Sequence, residues 1–403
     1  MLILHNARQL VTVAATGKKD DLGVLEHASV IIEGDRIISI LPASEVRPRV
    51  GDTVIDCTNK VILPGFVDSH THAVFAGVRA DEFAMRVAGK SYQEIAEAGG
   101  GINNSVRAVR AATLDELVSV SRPRLDAALR TGTTTMEIKS GYGLDTENEI
   151  KILEAAHLLA NESLIEIHTT FLGAHAVPPE FRGRQTEYVK HIITEMLPAV
   201  ASRNLAKHCD VFCDKGYFTV DESEKIFAAA KKLGMRAKVH ADELAETGGA
   251  AMAARVGALS ADHLLCVSDA GIAALRDANV VATLLPGTAY FLGLPYAPAR
   301  RLLDAGCTVA LASDFNPGSS PTSNMQMIIS LACTQMKMTI EEAITGATLN
   351  GAKALGLAEQ IGSIEIGKQA DMLVCDIPDY REIGYWFGGN LVSTVVKNGV
   401  VVD

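Results

Sequence analysis

Among the eleven histidines of this chain, His70 and His72 have a spacing that can do chemistry. In an extended strand residues i and i+2 point to the same face, so His70-Thr71-His72 can offer two imidazoles to one metal ion. Taken alone, such a pair is an ordinary structural or surface feature. Its context is given by His240, His263 and Asp314, which fall at the ends of the strand-like runs MRAKVHAD, ALSADHLL and TVALASD. His70, His72, His240 and Asp314 together make a mixed nitrogen and oxygen donor set suited to zinc or iron, with a position left for water. Each residue has a plainer reading on its own. Asp314 could cap a helix, and His240 or His263 could be a core histidine satisfied by backbone. Convergence of all of them on one face is what argues for a site.

That convergence needs a scaffold, and the middle of the chain supplies one. Apolar strand candidates alternate with amphipathic runs such as DESEKIFAAAKKLG, the pattern of βα units and a parallel sheet. The candidates are LPGFVDSHTH, TTTMEIKS, LIEIHTTF, CDVFCD, MRAKVHAD, ALSADHLL, NVVATLLP and TVALASD. Eight such units predict an α/β fold, a distorted TIM (β/α)8 barrel over residues 61–361, in which catalytic groups sit at the C-terminal ends of the strands. His70 and His72 then close the first strand, His240 the fifth, His263 the sixth and Asp314 the eighth. The two chain ends read differently. SVIIEGDRIISI near the start, and ADMLVCDI and STVVKNGVVV near the finish, are short β-runs around tight turns, the last at Asn398-Gly399. Residues 1–60 with 362–403 are expected to pair into a small composite β-sandwich domain with the barrel inserted between them.

Composition narrows the function classes. The chain has 403 residues, 48% hydrophobic and 21% charged, enough apolar side chains for a large core. Its net charge of −11 repels nucleic acid and anionic membranes, so neither is expected as a partner. No apolar stretch approaches the roughly 20 residues needed to cross a bilayer. Seven scattered cysteines and a start, MLILHNARQL, without a signal-peptide pattern predict reduced thiols in the cytoplasm. A symmetric homo-oligomer, in its simplest form a dimer, is the expected assembly.

The segments PGFVDSHTH, VHADE, ADH and ASDFNPG resemble the amidohydrolase superfamily, over essentially the whole chain. Within it, HTHAVFAGVRADEF, EIAEAGGGI, EIKSGYGL, TFLGAHAVPPE and SDFNPGSSP are similar to the branch that opens an imidazolone ring in histidine degradation. The resemblance implies that His70, His72, His240 and Asp314 hold one metal ion per subunit, Zn2+ or Fe3+. Binuclear members carry a carboxylated lysine at the end of the fourth strand, whereas CDVFCD ends at Cys213 and Asp214 with Lys215 beyond it, which fits a mononuclear site. The implied reaction is hydrolysis of the cyclic amide C–N bond of 4-imidazolone-5-propanoate to N-formimino-L-glutamate, with metal-activated water attacking the ring carbonyl. Catalytic roles are implied for Glu243 as proton shuttle, His263 at the water or the forming oxyanion and Asp314 at the water, with Glu243 or His263 protonating the leaving ring nitrogen. Arg79 is implied to meet the propionate of this small-molecule substrate, since a protein of net negative charge must supply a local cation. Tyr142 and His175 are implied to contact the imidazolone, Tyr92 to join the pocket, and Asn316, Gly318 and Ser319 to hold an anionic group through backbone N–H groups and small side chains.

Two other functions stay open: a deaminase of the same superfamily releasing ammonia from an aminated heterocycle, and a non-catalytic assembly module that has lost its ligands. Three features are set aside. His208-Cys209 with Cys213 is expected in a strand core and not at a metal. Gly99-Gly100-Gly101 lacks the following Gly-Lys-Ser/Thr of a phosphate loop and reads as a lid or turn. Lys139, at the end of the second strand, is either an active-site base or a structural or substrate-orienting lysine.

Overall fold

The computed structural model describes residues 1–14, 21–90, 94 and 100–402. The chain opens with β1 (Leu2–Val11), β2 (Val24–Glu33), β3 (Arg36–Pro42), β4 (Thr53–Asp56) and β5 (Val61–Pro64). The barrel strands follow: β6 (Phe66–Asp68), β7 (Thr133–Lys139), β8 (Glu166–Ala174), β9 (His208–Cys213), β10 (Arg236–Ala241), β11 (Ser260–His263), β12 (Val281–Leu284) and β13 (Val309–Leu311). The chain ends with β14 (Met372–Cys375), β15 (Val392–Lys397) and β16 (Val400–Val402).

All eight expected barrel strands are present and run parallel in sequence order from β6 to β13. The ring closes at the level of the site. Asp314 N donates to His70 O at 3.0 Å and His72 N to Phe315 O at 2.9 Å, so the end of β13 hydrogen-bonds the segment after β6. Just below, the Asp68 carboxylate accepts from Ser313 N at 2.9 Å and Ser313 Oγ at 2.5 Å. Helices on the outside begin where the sequence caps them. Thr113 with Glu116, Thr219 with Glu222 and Thr339 with Glu342 each form a reciprocal capping box.

The terminal strands form one separate eight-stranded sheet, ordered β16-β15-β14-β5-β1-β2-β3 with β4 beside β1. Its inner face buries Leu4, Val30, Met372, Val374 and Val396 in a core of its own. The two expected hairpins are there, with Glu33 opposite Arg36 and Lys397 opposite Val400, the latter around Asn398 and Gly399, both in the left-handed region. One boundary differs from expectation. Residues 61–64 were expected in the barrel, but β5 pairs with β1 and β14. The reason lies in its two buried faces: Val61 and Leu63 point into the main core and Ile62 into the core of the terminal sheet. A strand covered on both sides reads as a continuous apolar run, as barrel strands do.

The two bodies are joined by a buried cation. Lys397 Nζ, on β15, lies 2.7 Å from Asp371 Oδ2 and 3.2 Å from Glu166 Oε2 at the start of β8. No helix among the described residues is long and apolar enough to cross a membrane.

Candidate active site

His70, His72 and His240 come together at the C-terminal end of the barrel, with ligand atoms within 4.8 Å of one another. Asp314 approaches them, its Oδ1 3.6 Å from His70 Nε2 and 3.7 Å from His72 Nε2. The far oxygen of Asp314 accepts a hydrogen bond from Thr288 Oγ1 at 2.6 Å, which aims Oδ1 at the histidines. Burial raises the Asp314 carboxyl to about 6. All four side chains are buried.

These residues fit a metal ion. His70 Nδ1 is engaged by Asp262 Oδ2 at 2.6 Å, and its Nε2 is buried with no partner among the described residues, facing the cluster. His240 Nδ1 lies 3.0 Å from Asp210 Oδ2. Carboxylates behind ligand histidines are the usual means of fixing ring orientation and tautomer at metal sites. Three imidazoles and a carboxylate suit zinc or iron.

A cavity of about 440 Å³ opens over the cluster. Glu243 and His263 line it, with Glu243 Oε2 3.5 Å from His263 Nδ1. Burial and then the neighbouring Asp314 push Glu243 up to about 8, while burial holds His263 well below its usual range and so neutral. Glu243 owes its position to Asp214, whose carboxylate accepts from Glu243 N at 2.7 Å and Leu244 N at 2.8 Å. His263 and Asp314 both have positive φ, 77° and 52°, an unfavourable backbone for such residues that is concentrated at functional sites.

Tyr142 and His175 form one wall. Their ring centroids are 5.5 Å apart, and His175 stacks on His72 at 5.1 Å. Burial lowers His175 to about 3 and raises the Tyr142 phenol. The Tyr142 loop is wound around the carboxylate of Glu149, which accepts from Gly141 N, Gly143 N and Leu144 N at 2.9, 2.7 and 2.8 Å. Gly141 has φ 113°, and a Cβ there would sit 2.8 Å from His175 Nδ1.

Arg79 lines the opposite side. Its Nε and Nη2 lie 2.8 and 2.7 Å from Glu82 Oε2, leaving Nη1 against Gly318, where any Cβ would collide with it. Asn316, Gly318 and Ser319 line the cavity as expected, but their backbone does something else. The Gly318 and Ser319 amides both donate to Asn316 Oδ1 at 2.8 Å, so these N–H groups are spent inside the loop and are not free for an anion. Tyr92 and Gly99 lie outside the described residues. Gly101 caps the helix Ile102–Ala111 with φ 83°.

The features set aside behave as core. Cys209 and Cys213 are buried free thiols, and His70, His72 and His240 are the metal-capable cluster found among the described residues. Lys139 is fully buried, ion-paired with Glu137 and Asp210, and does not line the cavity. Sequence reasoning missed Asp210, Asp262, Thr288, Glu149 and Asp214, which hold the functional side chains in place. For Asp210 in HCDVFC and Asp262 in SADH the signal was a charge within an apolar barrel strand.

The amidohydrolase family profile matches residues 61–402. An imidazolonepropionase of Clostridium tetani is 48% identical over 100% of this chain and 98% of its own length. One of Porphyromonas gingivalis is 46% identical over 100% and 97%. Among solved structures, zinc-complexed atrazine chlorohydrolase TrzN from Arthrobacter aurescens TC1 superposes with a TM-score of 0.73 at 19% identity, covering 100% of this chain and 95% of that one. An adenosine deaminase from Xanthomonas campestris with bound zinc gives 0.73 at 19%, covering 99% and 92%. Those two likenesses are of fold, whereas the two full-length relatives define the branch: the chain belongs to the amidohydrolase family and, within it, to the imidazolonepropionases.

Proposed function

We propose that the protein hydrolyses the cyclic amide C–N bond of 4-imidazolone-5-propanoate, giving N-formimino-L-glutamate. The observation that carries this reading is one cavity bounded by the histidine cluster with Asp314, by Glu243 and His263, and by Arg79. His70, His72, His240 and Asp314 would hold a single ion, zinc or ferric iron. Lys215 beyond β9 is exposed and does not line the cavity, which supports one ion over two. A metal ion bound there supplies a water molecule that loses a proton near neutral pH.

The chain's own groups account for the rest. Asp314, steadied by Thr288, accepts the proton of the attacking water through its carboxylate. His263, neutral, donates to the carbonyl oxygen as it gains negative charge. Glu243, protonated near neutral pH, delivers a proton to the ring nitrogen as the C–N bond breaks. Water thus adds across the amide: its oxygen becomes part of the new carboxylate and the nitrogen leaves as the formimino group. Tyr142 and His175 flank the ring, and Arg79 pairs with the propionate; Asn316, Gly318 and Ser319 shape that end of the pocket.

We also read residues 1–60 with 362–403 as one composite domain, extended to Pro64 because β5 pairs within it, and the protein as a cytoplasmic homodimer. Seven free cysteines support a reducing compartment. The decisive experiment follows the loss of imidazolone absorbance when substrate, made in the cuvette from urocanate by urocanase, meets the metal-loaded protein. Decay faster than the spontaneous rate, with formiminoglutamate formed, is the expected result. No acceleration by metal-loaded protein, with ammonia released instead from an aminated heterocycle, would overturn it.

A further inference from the structure

Beneath the histidine cluster the barrel interior is filled with charge. Glu137 and Lys139 on β7, Asp210 on β9, Lys238 on β10 and Asp262 on β11 are all completely buried. Burying five ionisable groups is costly unless each is tightly paired, so the arrangement calls for a purpose. The ammonium of Lys139 lies 2.7 Å from Asp210 Oδ2, 2.8 Å from Glu137 Oε2 and 3.8 Å from Asp262 Oδ2. The same two aspartate oxygens face the histidines: Asp210 Oδ2 is 3.0 Å from His240 Nδ1, and Asp262 Oδ2 is 2.6 Å from His70 Nδ1. Two ligands rooted on opposite parts of the ring are therefore tied, through their carboxylates, to one ammonium. Two of the remaining oxygens are also fixed, while Asp262 Oδ1 is buried with no hydrogen-bond partner among the described residues. Asp210 Oδ1 accepts from Val211 N and His240 N at 2.7 and 3.1 Å, and Glu137 Oε1 accepts from Thr170 Oγ1.

Lys238 is equally buried but differently engaged. Its Nζ donates to Ser260 Oγ at 2.9 Å and to the carbonyls of Ser69 and Ala354 at 3.2 and 3.4 Å, with Glu137 and Asp262 at 3.7 and 3.9 Å. Lys238 stands beside Asp210 in the register of β10 on β9, yet its ammonium makes no ion pair with that carboxylate.

We propose that Lys139 is a positioning residue of the metal site, holding Asp210 and Asp262 so that His240 and His70 keep Nδ1 toward a carboxylate and Nε2 toward the ion. The inference rests on reading those histidines as metal ligands. It assigns Lys139 no proton transfer and no contact with substrate.

The test compares Lys139→Met with Lys238→Met in the full chain, measuring zinc affinity by competition with a chromophoric chelator and the visible spectrum of the cobalt(II) form. Removing a residue that orients ligands costs roughly 10–100-fold in metal affinity. That loss is expected for Lys139→Met, with altered cobalt bands, while Lys238→Met stays within about threefold of the unaltered protein. Thermal melts of the metal-free proteins check that each is folded; if Lys139→Met is not, Lys139→Met with Glu137→Gln removes one charge of each sign and takes its place. Unchanged affinity at Lys139, or an equal loss at Lys238, overturns the proposal. Failure of the unaltered protein to bind zinc or iron stoichiometrically would instead sink the metal-site reading itself, and the proposal with it.

Discussion

Glu243 and His263 leave adjacent strands to face each other across 3.5 Å, the carboxylate Oε2 against the imidazole Nδ1. The two groups carry opposite protonation preferences in the same buried space, Glu243 held up at about 8 and His263 kept neutral. Glu243→Gln keeps the shape and the hydrogen-bonding capacity but cannot release a proton. Turnover should fall by about 10²–10⁴-fold while metal content is unchanged. Metal analysis alongside the absorbance assay checks both halves, and near-normal turnover would remove Glu243 from the reaction.

The same carboxyl leaves a mark on stability. Its folded value of about 8 exceeds the ordinary 4.5, so between those pH values the folded chain holds a proton that the unfolded chain has released. The stability it contributes is fully present below the unfolded value and is lost as the pH rises through about 8. Metal-free Glu243→Gln should therefore gain progressively on the metal-free parent as the pH rises from about 4.5 to about 8 in urea denaturation. A difference independent of pH would mean that Glu243 ionises normally.

Arg79 presents Nη1 to the cavity because Glu82 occupies its other edge. Loss of a charge-assisted carboxylate contact costs about 1.5–3 kcal/mol, or roughly 10–150-fold. Arg79→Ala should raise KM by that order with a much smaller effect on kcat. Gly318→Ala, whose methyl would strike Nη1, should move KM the same way. Initial rates over a substrate series separate the two constants; a kcat effect alone would place Arg79 elsewhere.

Withdrawing the metal with a chelator should abolish turnover and lower the melting temperature, and restoring zinc or iron should recover both. An ion present at a hundred times its Kd stabilises the fold by about 2.7 kcal/mol. Calorimetry with and without chelator measures this directly, and identical melting curves would contradict a site at the histidines.

Lys397→Met tests the joint between sheet and barrel. It strands the buried Asp371 and the half-buried Glu166, and removing one member of a buried ion pair costs about 3–5 kcal/mol. Because Glu166 is partly exposed, the lower end of that range is expected in chemical denaturation, with zinc affinity intact.

The barrel could be read from the sequence because its strands are apolar runs of the right length set between amphipathic helices. The His70-x-His72 pair could be read because a strand repeats every two residues. What stayed hidden were groups whose meaning depends on distant partners. Asp262 belongs with His70, 192 positions away, and Thr288 with Asp314 across 26. Nothing local distinguishes Glu149 from any other acid in the first turn of a helix until three loop amides are seen to close on it. The amides of Gly318 and Ser319 were misread because Asn316, two and three residues away, competes for them.

The pairing of β5 with β14 also sets an order of events during synthesis. The β2–β3 hairpin and the β1 contacts can form as soon as residues 1–64 emerge, and the barrel can close once β13 is made. Until Met372–Cys375 leaves the ribosome, however, Val61–Pro64 presents a bare apolar edge, the kind of template on which chains misassociate. The final thirty or so residues thus act as a late seal, and a chain stopped short of them would hold the catalytic groups yet carry an adhesive flank.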